Sequence, residues 1–519
     1  MNISASMRFA AVGLFSAFLS AAQSPGPGMT ASTAARILEQ ATWGPTPASV
    51  QALQTAGFDS WFASQVSAPV TTYANLPMLA SDGTAFSNMA GTQVQFFENA
   101  LYNPDQLRQR VAFALSEIWV VSKTSTIGYA AAFPPLLNIF QQDAFGSYAQ
   151  LINDVTLNPA MGQYLDMVNN HKTTGTFLPN ENYGREVMQL FTIGLNVLNP
   201  DGTLPTTPAP TYLQPTVDAI SKAFTGWTYA ATPTGGTSPN YFSPMVPVPT
   251  QHDTTAKQLL FNTASGAVQT VNLPASNTPA LDLADAIAAL MQNPNMAPFI
   301  SQQLIQHLVT SNPSPAYVGR VSAVFTSSGG NLQAVVKAIL TDPEARAGDA
   351  SVAGDLTQFG HLREPVLLLT NLLRGMNGVV YDSSTIYNYS SALGQNLFYA
   401  PSVFSYFSPD YHVGQLAAPE FQLHNTQTSV TRANYIYSII YSGKLDASTL
   451  FDISAFVTAA GTSTAALTTA ISNQFFHGMM SPTLQTAITN GIVGQTTATT
   501  KAQAALYVAL TSSEFQIMH

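Results

Sequence analysis

The spacing of apolar residues is the feature that most constrains the fold of this chain. In the segment 105–122, DQLRQRVAFALSEIWVVS, the apolar side chains of Leu107, Val111, Leu115 and Ile118 recur at the three- and four-residue intervals of an α-helix. A helix with this spacing buries one face, so we expect it to contribute to the core.

Similar periodicity predicts helices over most of the chain. Thr46 and Pro47 are typical of an N-cap followed by a first-turn proline, and Asn158-Pro159 predicts a break between two helices. Helices outnumber plausible strands, so the expected fold class is mainly α, a multi-helix globular fold. Further helical segments are predicted at 35–67, 132–169, 216–226 and 282–346.

The remaining segments predict the domain organisation. A signal peptide is expected at 1–22, followed by one mainly helical domain at 23–519. Five prolines in 199–215 exclude a regular element there, so this segment is predicted to be a loop. A small irregular or β insertion is expected around 230–280, where the alternating piece AVQTVNL predicts a hairpin. The part at 440–519 is rich in Ala and Thr and is predicted to be helical.

The N-terminus has the outline of a secretory signal peptide. Arg8 precedes an apolar run from Phe9 to Ala22, which ends in small residues. This run is shorter than the roughly 20 residues that cross a bilayer, and no later segment is long and apolar enough. We therefore expect cleavage near Ala22 and an exported protein, periplasmic or extracellular, without a transmembrane segment in the mature chain. A buried N-terminal helix is the alternative.

Charged residues are scarce. They make up 8% of the chain, against roughly 25% in typical soluble domains. A net charge of -10 without a Lys/Arg cluster argues against nucleic acid as a partner. A neutral surface rich in Asn, Gln, Tyr and Trp would suit a neutral polysaccharide. The chain has no cysteine, which excludes disulfides, thiol nucleophiles and cysteine-based metal sites.

The densest polar cluster is PNENYGRE at 179–186. Pro179 and Asn180 mark a helix start, which places Glu181 in the first turn near the positive end of the helix dipole. Glu181 and Arg185 are four residues apart and are predicted to pair on one face.

Asn182 and Glu186 have the same spacing and are predicted to pair on the adjoining face. We expect this helix to continue through the apolar run 187–195. Glu181 and Glu186 are five residues apart, so a two-carboxylate mechanism needs a partner from elsewhere in the chain. The structural alternative is an ion-pair network that holds the helix in place.

A second candidate is His252-Asp253, with Lys257 four residues beyond Asp253. A histidine beside an aspartate can act as a general base or bind a metal. A turn capped by the aspartate explains the same residues.

Two further candidates are His171 and Trp227. His171 is predicted to lie near a helix C-terminus, where the helix dipole alone favours it. Trp227, in FTGWTY, would suit a sugar-binding cleft, although tryptophans more often belong to the core.

Familiar catalytic signatures such as HExxH, GxSxG and glycine-rich phosphate loops are missing from the sequence. The set His171, Glu181, Glu186, His252 and Asp253 contains ligand types for a cation, but no spacing among them is diagnostic. The metal and cofactor requirements therefore remain unknown at this stage.

Several motifs resemble a known family. ARILEQATWGPT, NPAMGQYLDMVNN, PNENYGREVMQLFTIGL, KAFTGWTY, HDTTAKQLL, LREPVLLL and LGQNLFYAPSVF occur in the order found in the family called domain of unknown function 1800 (DUF1800), over about residues 35–410. The resemblance implies an exported bacterial protein of mostly helical fold, often encoded beside a domain-of-unknown-function 1501 (DUF1501) protein. It implies no established activity.

The chain departs from the family pattern at several positions. Many members have FWHNHF where this chain has LSEIWVVS, and acids where it has Gln189, Gln214 and Thr216. A metal or acid–base centre of the family would therefore lack some potential ligands here.

Two functional hypotheses remain open, and the sequence does not decide whether the protein is an enzyme. The first is a secreted hydrolase-like protein acting on a neutral envelope or extracellular polymer, with Glu186 or Glu181 as the acid–base group and His252-Asp253 as its partner. The second is a non-catalytic envelope or export-associated protein that binds a partner, such as a DUF1501-like protein encoded nearby.

Overall fold

A computed structural model describes residues 29–124, 126–232, 239–350 and 360–519. The expected signal peptide at 1–22 lies outside the described residues. Within the described part of the chain, no helix is both long and apolar enough to cross a membrane.

Helices dominate the regular structure, which confirms the prediction of a mainly α fold. The first half contains α1 (Ala31–Ala41), α2 (Pro47–Ala56), α3 (Phe58–Ser67), α4 (Ala90–Tyr102), α5 (Gln106–Ile118), α6 (Phe133–Asp143), α7 (Tyr148–Thr156), α8 (Pro159–Tyr164), α9 (Asn182–Gln189) and α10 (Gln214–Ala223). The second half contains α11 (Pro279–Met291), α12 (Met296–Leu308), α13 (Pro315–Ser327), α14 (Leu332–Thr341), α15 (Pro343–Ala347), α16 (Pro365–Gly375), α17 (Ile386–Ala392), α18 (Thr426–Ser442), α19 (Ser454–Thr462), α20 (Thr464–Phe475), α21 (Pro482–Gly491), α22 (Ala498–Leu510) and α23 (Ser513–Gln516).

Local capping explains why several helices begin where the sequence predicts. Thr46 and Ser49 form a reciprocal capping box at the start of α2. Asn158 separates α7 from α8, because its side chain accepts the backbone N–H of Ala160 at 2.9 Å. The predicted break at Asn158-Pro159 is confirmed.

The strands are short. They are β1 (Trp227–Thr228), β2 (Val246–Pro247), β3 (Lys257–Asn262), β4 (Val268–Leu273), β5 (His361–Leu362), β6 (Val379–Val380), β7 (His412–Val413), β8 (Leu416–Ala417), β9 (Lys444–Asp446), β10 (Thr449–Leu450) and β11 (Ile517–Met518). The antiparallel β3–β4 hairpin confirms the predicted β insertion. Small antiparallel pairings outside it, β1–β2 among them, were not predicted, because strands of two or three residues carry no readable alternation.

One hydrophobic core joins the N-terminal helices to the C-terminus. Trp119 stacks on Phe191 with ring centroids 4.5 Å apart, which connects the end of α5 to the segment after α9. Ile517 and Met518 in β11 pair with β5, so the last residues of the chain are anchored beside α16.

The helix α9 is shorter than the sequence predicts. It ends at Gln189, whereas the sequence predicts that it continues to the end of the apolar run at residue 195. The N–H groups of Ile193 and Gly194 both bond to the carbonyl of Met188, and Gly194 has a left-handed φ of 71°. This closure turns the chain away from the helix axis.

Candidate functional site

The start of α9 carries most of the predicted site residues. Asn180 accepts the N–H of Asn182 through its Oδ1 at 2.8 Å, while Glu181 stands at the N-cap position without a side-chain cap. Asn170 fixes Asn180 from both sides, because its side chain accepts the N–H at 2.8 Å and donates to the carbonyl at 3.0 Å. Asparagine side chains therefore hold the helix start, which lies at Asn182, so Glu181 is at the N-cap position and not in the first turn as predicted.

Glu181 and Arg185 form the predicted ion pair. Nη2 of Arg185 lies 2.7 Å from Oε2 of Glu181, and the side chains are 40% and 39% exposed for Arg185 and Glu181 respectively. The amide of Gln214 in α10 donates to both carboxylate oxygens of Glu181 at 3.0 Å and accepts from Arg185 at 3.1 Å. This pair is half-exposed, and hydrogen bonds from Gln214 of the neighbouring helix hold it in place.

Asn182 does not pair with Glu186 as the spacing predicted. Its Nδ2 donates to Oδ2 of Asp166 at 3.2 Å. Asp166 is exposed and has a left-handed φ of 59°, which is uncommon for a residue other than glycine. An aspartate held in this conformation beside a helix start is a functional candidate.

Glu186 is half-buried beside two tyrosines. Its Oε2 is shielded from solvent and has no hydrogen-bond partner among the described residues, and the same holds for the hydroxyl of Tyr212. Burial raises the pKa of Glu186, and Arg185 only partly offsets this. Burial together with the Glu186 charge raises the pKa of Tyr164 to about 12. Glu186 is thus a carboxyl group that favours its protonated form.

We call Asp166, Glu181, Asn182, Arg185 and Glu186 the α9 rim. Asn182 and Glu186 are four residues apart and share one face of α9, so Asp166, bonded to Asn182, flanks the face that carries Glu186. Glu181 and Arg185 occupy the adjoining face.

His171 and Trp227 are placed differently from the prediction. His171 lies in a loop, because α8 already ends at Tyr164, and its ring stacks on Phe177 at 3.9 Å. Trp227 lies in β1 and is buried, so it belongs to the core.

His252 and Asp253 belong to a separate buried network. Nε2 of His252 lies 3.0 Å from Oδ2 of Asp282, and its Nδ1 lies 2.8 Å from the carbonyl of Thr225. Nζ of Lys257 lies 2.6 Å from the same Asp282 oxygen, and 3.9 Å from the Asp253 carboxylate. Both ring nitrogens of His252 are therefore occupied by acceptors inside the protein.

The structure does not bring His252 and Asp253 into contact with the α9 rim. The side-chain hydrogen bonds and ion pair of His252 among the described residues go to Thr225 and Asp282, and its side chain is fully buried. The predicted partnership between His252-Asp253 and Glu186 is not formed. This network joins the segment before β3 to α11.

A second concentration of charge lies in the core and was not predicted. We call Arg110, Glu117, His307, Glu364 and Gln395 the buried acid cluster. Nε2 of Gln395 donates to Oε1 of Glu117 at 3.1 Å and to Oε2 of Glu364 at 2.5 Å. Nδ1 of His307 lies 3.4 Å from Oε2 of Glu117.

The electrostatics of the buried acid cluster favour protonated carboxyls. Burial raises the pKa of Glu117 to about 7, although Arg110 opposes it. Burial and the neighbouring Glu117 charge raise the pKa of Glu364 to about 8. Burial lowers the pKa of His307. Glu117 and Glu364 therefore keep their protons at pH values where exposed carboxyls have already released theirs.

A second carboxylate network adjoins this cluster through Arg363. Oε1 of Glu39 accepts from both Nε and Nη2 of Arg363, at 3.0 and 2.8 Å, and Asn371 donates to the other oxygen at 3.0 Å. Nε2 of His477 lies 3.5 Å from the same oxygen as Asn371. Burial alone would raise the pKa of Glu39, but Arg363 and His477 bring it down to about 2.

The sequence contained a signal for these networks. Glu39, Glu364 and Gln395 come from motifs that carry the family resemblance, and they lie in α1, directly before α16 and shortly after α17, whereas Glu117 lies in α5 in the segment that departs from the family pattern. Charged residues inside apolar runs such as LREPVLLL are unusual in a chain with 8% charged residues. A buried charge needs a partner, so each charged residue in an apolar run indicates that a second polar or charged residue lies beside it in the fold.

No cation site is formed by the described residues. They contain no group of three or more His, Asp or Glu side chains arranged to hold a metal ion.

Fold and site together define a mainly helical protein in which separated sequence motifs meet at buried carboxyls. The chain belongs to the DUF1800 family, described as proteins of unknown function, whose sequence profile matches residues 36–517. Searches among curated proteins and solved structures returned no match.

Proposed function

We propose that this protein is an exported hydrolase-like enzyme that acts on a neutral envelope or extracellular polymer at the α9 rim. The observation that carries the proposal is Glu186, a half-buried carboxyl with a raised pKa and one oxygen without a hydrogen-bond partner among the described residues. A raised pKa suits a carboxyl to act as a general acid.

Asp166 supplies the second carboxylate in this proposal. It is exposed, it is bonded to Asn182, and it flanks the face of α9 that carries Glu186. In this proposal the two carboxyls act on one scissile bond, as paired carboxyls do in glycoside hydrolysis. Glu181 is less suited to this role, because Arg185 and Gln214 occupy its oxygens.

The proposed reaction is hydrolysis by general acid and general base catalysis. Glu186 gives its proton to the oxygen of the leaving group as the scissile bond breaks, and Asp166 takes a proton from the attacking water. Both products leave with hydroxyl groups, and a proton passes through solvent from Asp166 back to Glu186. The amides of Asn180, Asn182 and Gln214 beside these charged groups suit hydrogen bonds to the hydroxyl groups of an uncharged substrate.

The test is turnover of a panel of neutral polysaccharides by purified protein. Glu186→Gln and Asp166→Asn should each reduce turnover by at least about 100-fold. Asp82→Asn is the control, because Asp82 is an exposed acid outside the α9 rim that accepts hydrogen bonds from Thr84, and it should retain activity. Undiminished turnover by Glu186→Gln with an unchanged circular dichroism spectrum would reject the assignment.

A binding function is the second candidate, and exposed apolar side chains favour it. Leu178, Leu213 and Phe177 flank the α9 rim and are 70%, 58% and 44% exposed. Apolar residues gathered around a polar centre are typical of a protein interface. In this case the partner would be a protein such as a DUF1501-like protein encoded nearby, and Leu178→Ser with Leu213→Ser should abolish its recovery from a periplasmic or secreted fraction.

A further inference from the structure

A cleft of about 560 Å³ lies between the N-terminal and C-terminal helices, apart from the elements that form the α9 rim. Its walls come from α1, α2, α19 and α20 and from the turns after α16 and α20. The volume lies within the range of small-molecule sites.

The side chains lining the cleft are mostly neutral. Amides are contributed by Gln51, Asn377 and Asn473, and Val50 and Phe456 supply apolar surface. This combination of amide groups with a limited apolar surface is what a hydroxyl-rich ligand needs.

Asp452 and His477 are the ionisable side chains among the lining residues. Both carboxylate oxygens of Asp452 accept hydrogen bonds from Ser454 at 2.8 Å. With no lysine or arginine in its lining, the cleft offers an anionic ligand no cationic partner. A neutral ligand meets no such electrostatic cost.

His477 links the cleft to the Glu39 network. Its side chain is almost fully buried, its Nε2 faces Oε2 of Glu39, and its Nδ1 has no hydrogen-bond partner among the described residues. Burial lowers the pKa of His477, which favours the neutral ring. When Nε2 holds the proton toward Glu39, Nδ1 is left as an acceptor for a hydroxyl group.

Two lining residues have strained backbones. His477 has a φ of 56° and Asn377 a φ of 47°, both in the left-handed region. A glycine would adopt these conformations at lower cost. Strain retained at two non-glycine residues of one cleft is typical of binding sites, where the side chain is needed for contact.

We propose that this cleft binds a neutral, hydroxyl-rich ligand of about two sugar rings, with Nδ1 of His477 accepting from a ligand hydroxyl and the amides of Gln51 and Asn473 completing the contacts. The site is separate from the α9 rim. It does not depend on the hydrolase proposal, and it would serve equally in a binding protein.

The test is sugar binding measured by saturation-transfer NMR and by calorimetry on the full chain. The probes are cellobiose and maltose, with glucuronate as the anionic comparison. We expect the neutral disaccharides to bind and glucuronate to bind at least about tenfold more weakly. Binding should also shift the ring resonances of His477 in histidine-labelled protein.

A blocking variant and a matched control separate cleft binding from binding elsewhere. Ala455 is exposed in α19 and lines the cleft, so Ala455→Trp should weaken disaccharide binding at least about tenfold. Ala465 is exposed in α20 and does not line the cleft, so Ala465→Trp should bind like the wild type.

The two single-amide variants Gln51→Ala and Asn473→Ala should each weaken binding severalfold without a change in melting temperature. Glu186→Gln should leave sugar binding in the cleft intact, so failure here is distinguishable from failure of the hydrolase proposal. Equal binding by both tryptophan variants, equal binding of glucuronate, or no binding of either disaccharide would overturn the inference.

Discussion

Glu117 and Glu364 share one hydrogen-bond donor, because Nε2 of Gln395 lies 3.1 Å from Oε1 of Glu117 and 2.5 Å from Oε2 of Glu364. Both carboxyls are buried, and Arg110 is the buried cation that offsets their charge. Two adjacent buried carboxylates cannot both be charged without a large cost, so the pair holds protons well above the usual range of a glutamate.

This pair predicts a pH dependence of stability. Unfolded glutamates ionise near 4.5, whereas the folded pKa is about 7 for Glu117 and about 8 for Glu364. Between these values the folded protein holds protons that the unfolded chain has released, so the free energy of unfolding should fall as pH rises to about 8. The slope is at most about 1.4 kcal/mol per pH unit for each retained proton.

Urea unfolding at several pH values provides the measurement. Glu364→Gln removes one of the titrating groups and should flatten the profile, most clearly between about pH 7 and 8, the folded pKa values of Glu117 and Glu364. A wild-type stability that is flat across this window, or an identical slope in the variant, would contradict the assignment.

Two arginine–glutamate pairs predict contrasting losses of stability. Arg185 and Glu181 are half-exposed, so Arg185→Ala should cost at most about 1 kcal/mol. Arg363 is buried against Glu39, so Arg363→Ala leaves a buried carboxylate without its main partner and should cost about 3 to 5 kcal/mol. The two variants serve as controls for each other in urea unfolding, and a large loss in Arg185→Ala would show that the α9 rim has a structural role.

Local features of the fold could be predicted from the sequence because their causes are local. The Thr46 capping box, the Asn158 break and the Glu181–Arg185 pair each involve residues within four positions of one another. The end of α9 was missed, because the apolar run beyond it gives the same hydrophobic pattern whether it is helical or folded into turns.

The rest of the site depends on long-range contacts. Gln395 reaches Glu117 across 278 positions of sequence, and Arg363 reaches Glu39 across 324. A single sequence shows that such charged residues need partners, but it does not identify the partner residues. Asn182 illustrates this at shorter range, because it bonds to Asp166 in a loop 16 positions earlier.

The close contact between α9 and α10 predicts that a methyl group added at Gly184 lowers the stability of the protein. A Cβ added at Gly184 would lie 2.7 Å from Oγ of Ser221 and 3.1 Å from Cγ2 of Ile220. Gly184→Ala should therefore push α9 away from α10 and cost about 1 to 3 kcal/mol. The same shift separates Gln214 from Glu181, so hydrolase activity at the α9 rim should fall with stability.

Ser221→Gly removes the side chain closest to the added methyl group. The double variant should therefore recover part of the lost stability, which a double-mutant cycle in urea unfolding measures. Strict additivity of the two substitutions would show that the two helices do not meet at these residues.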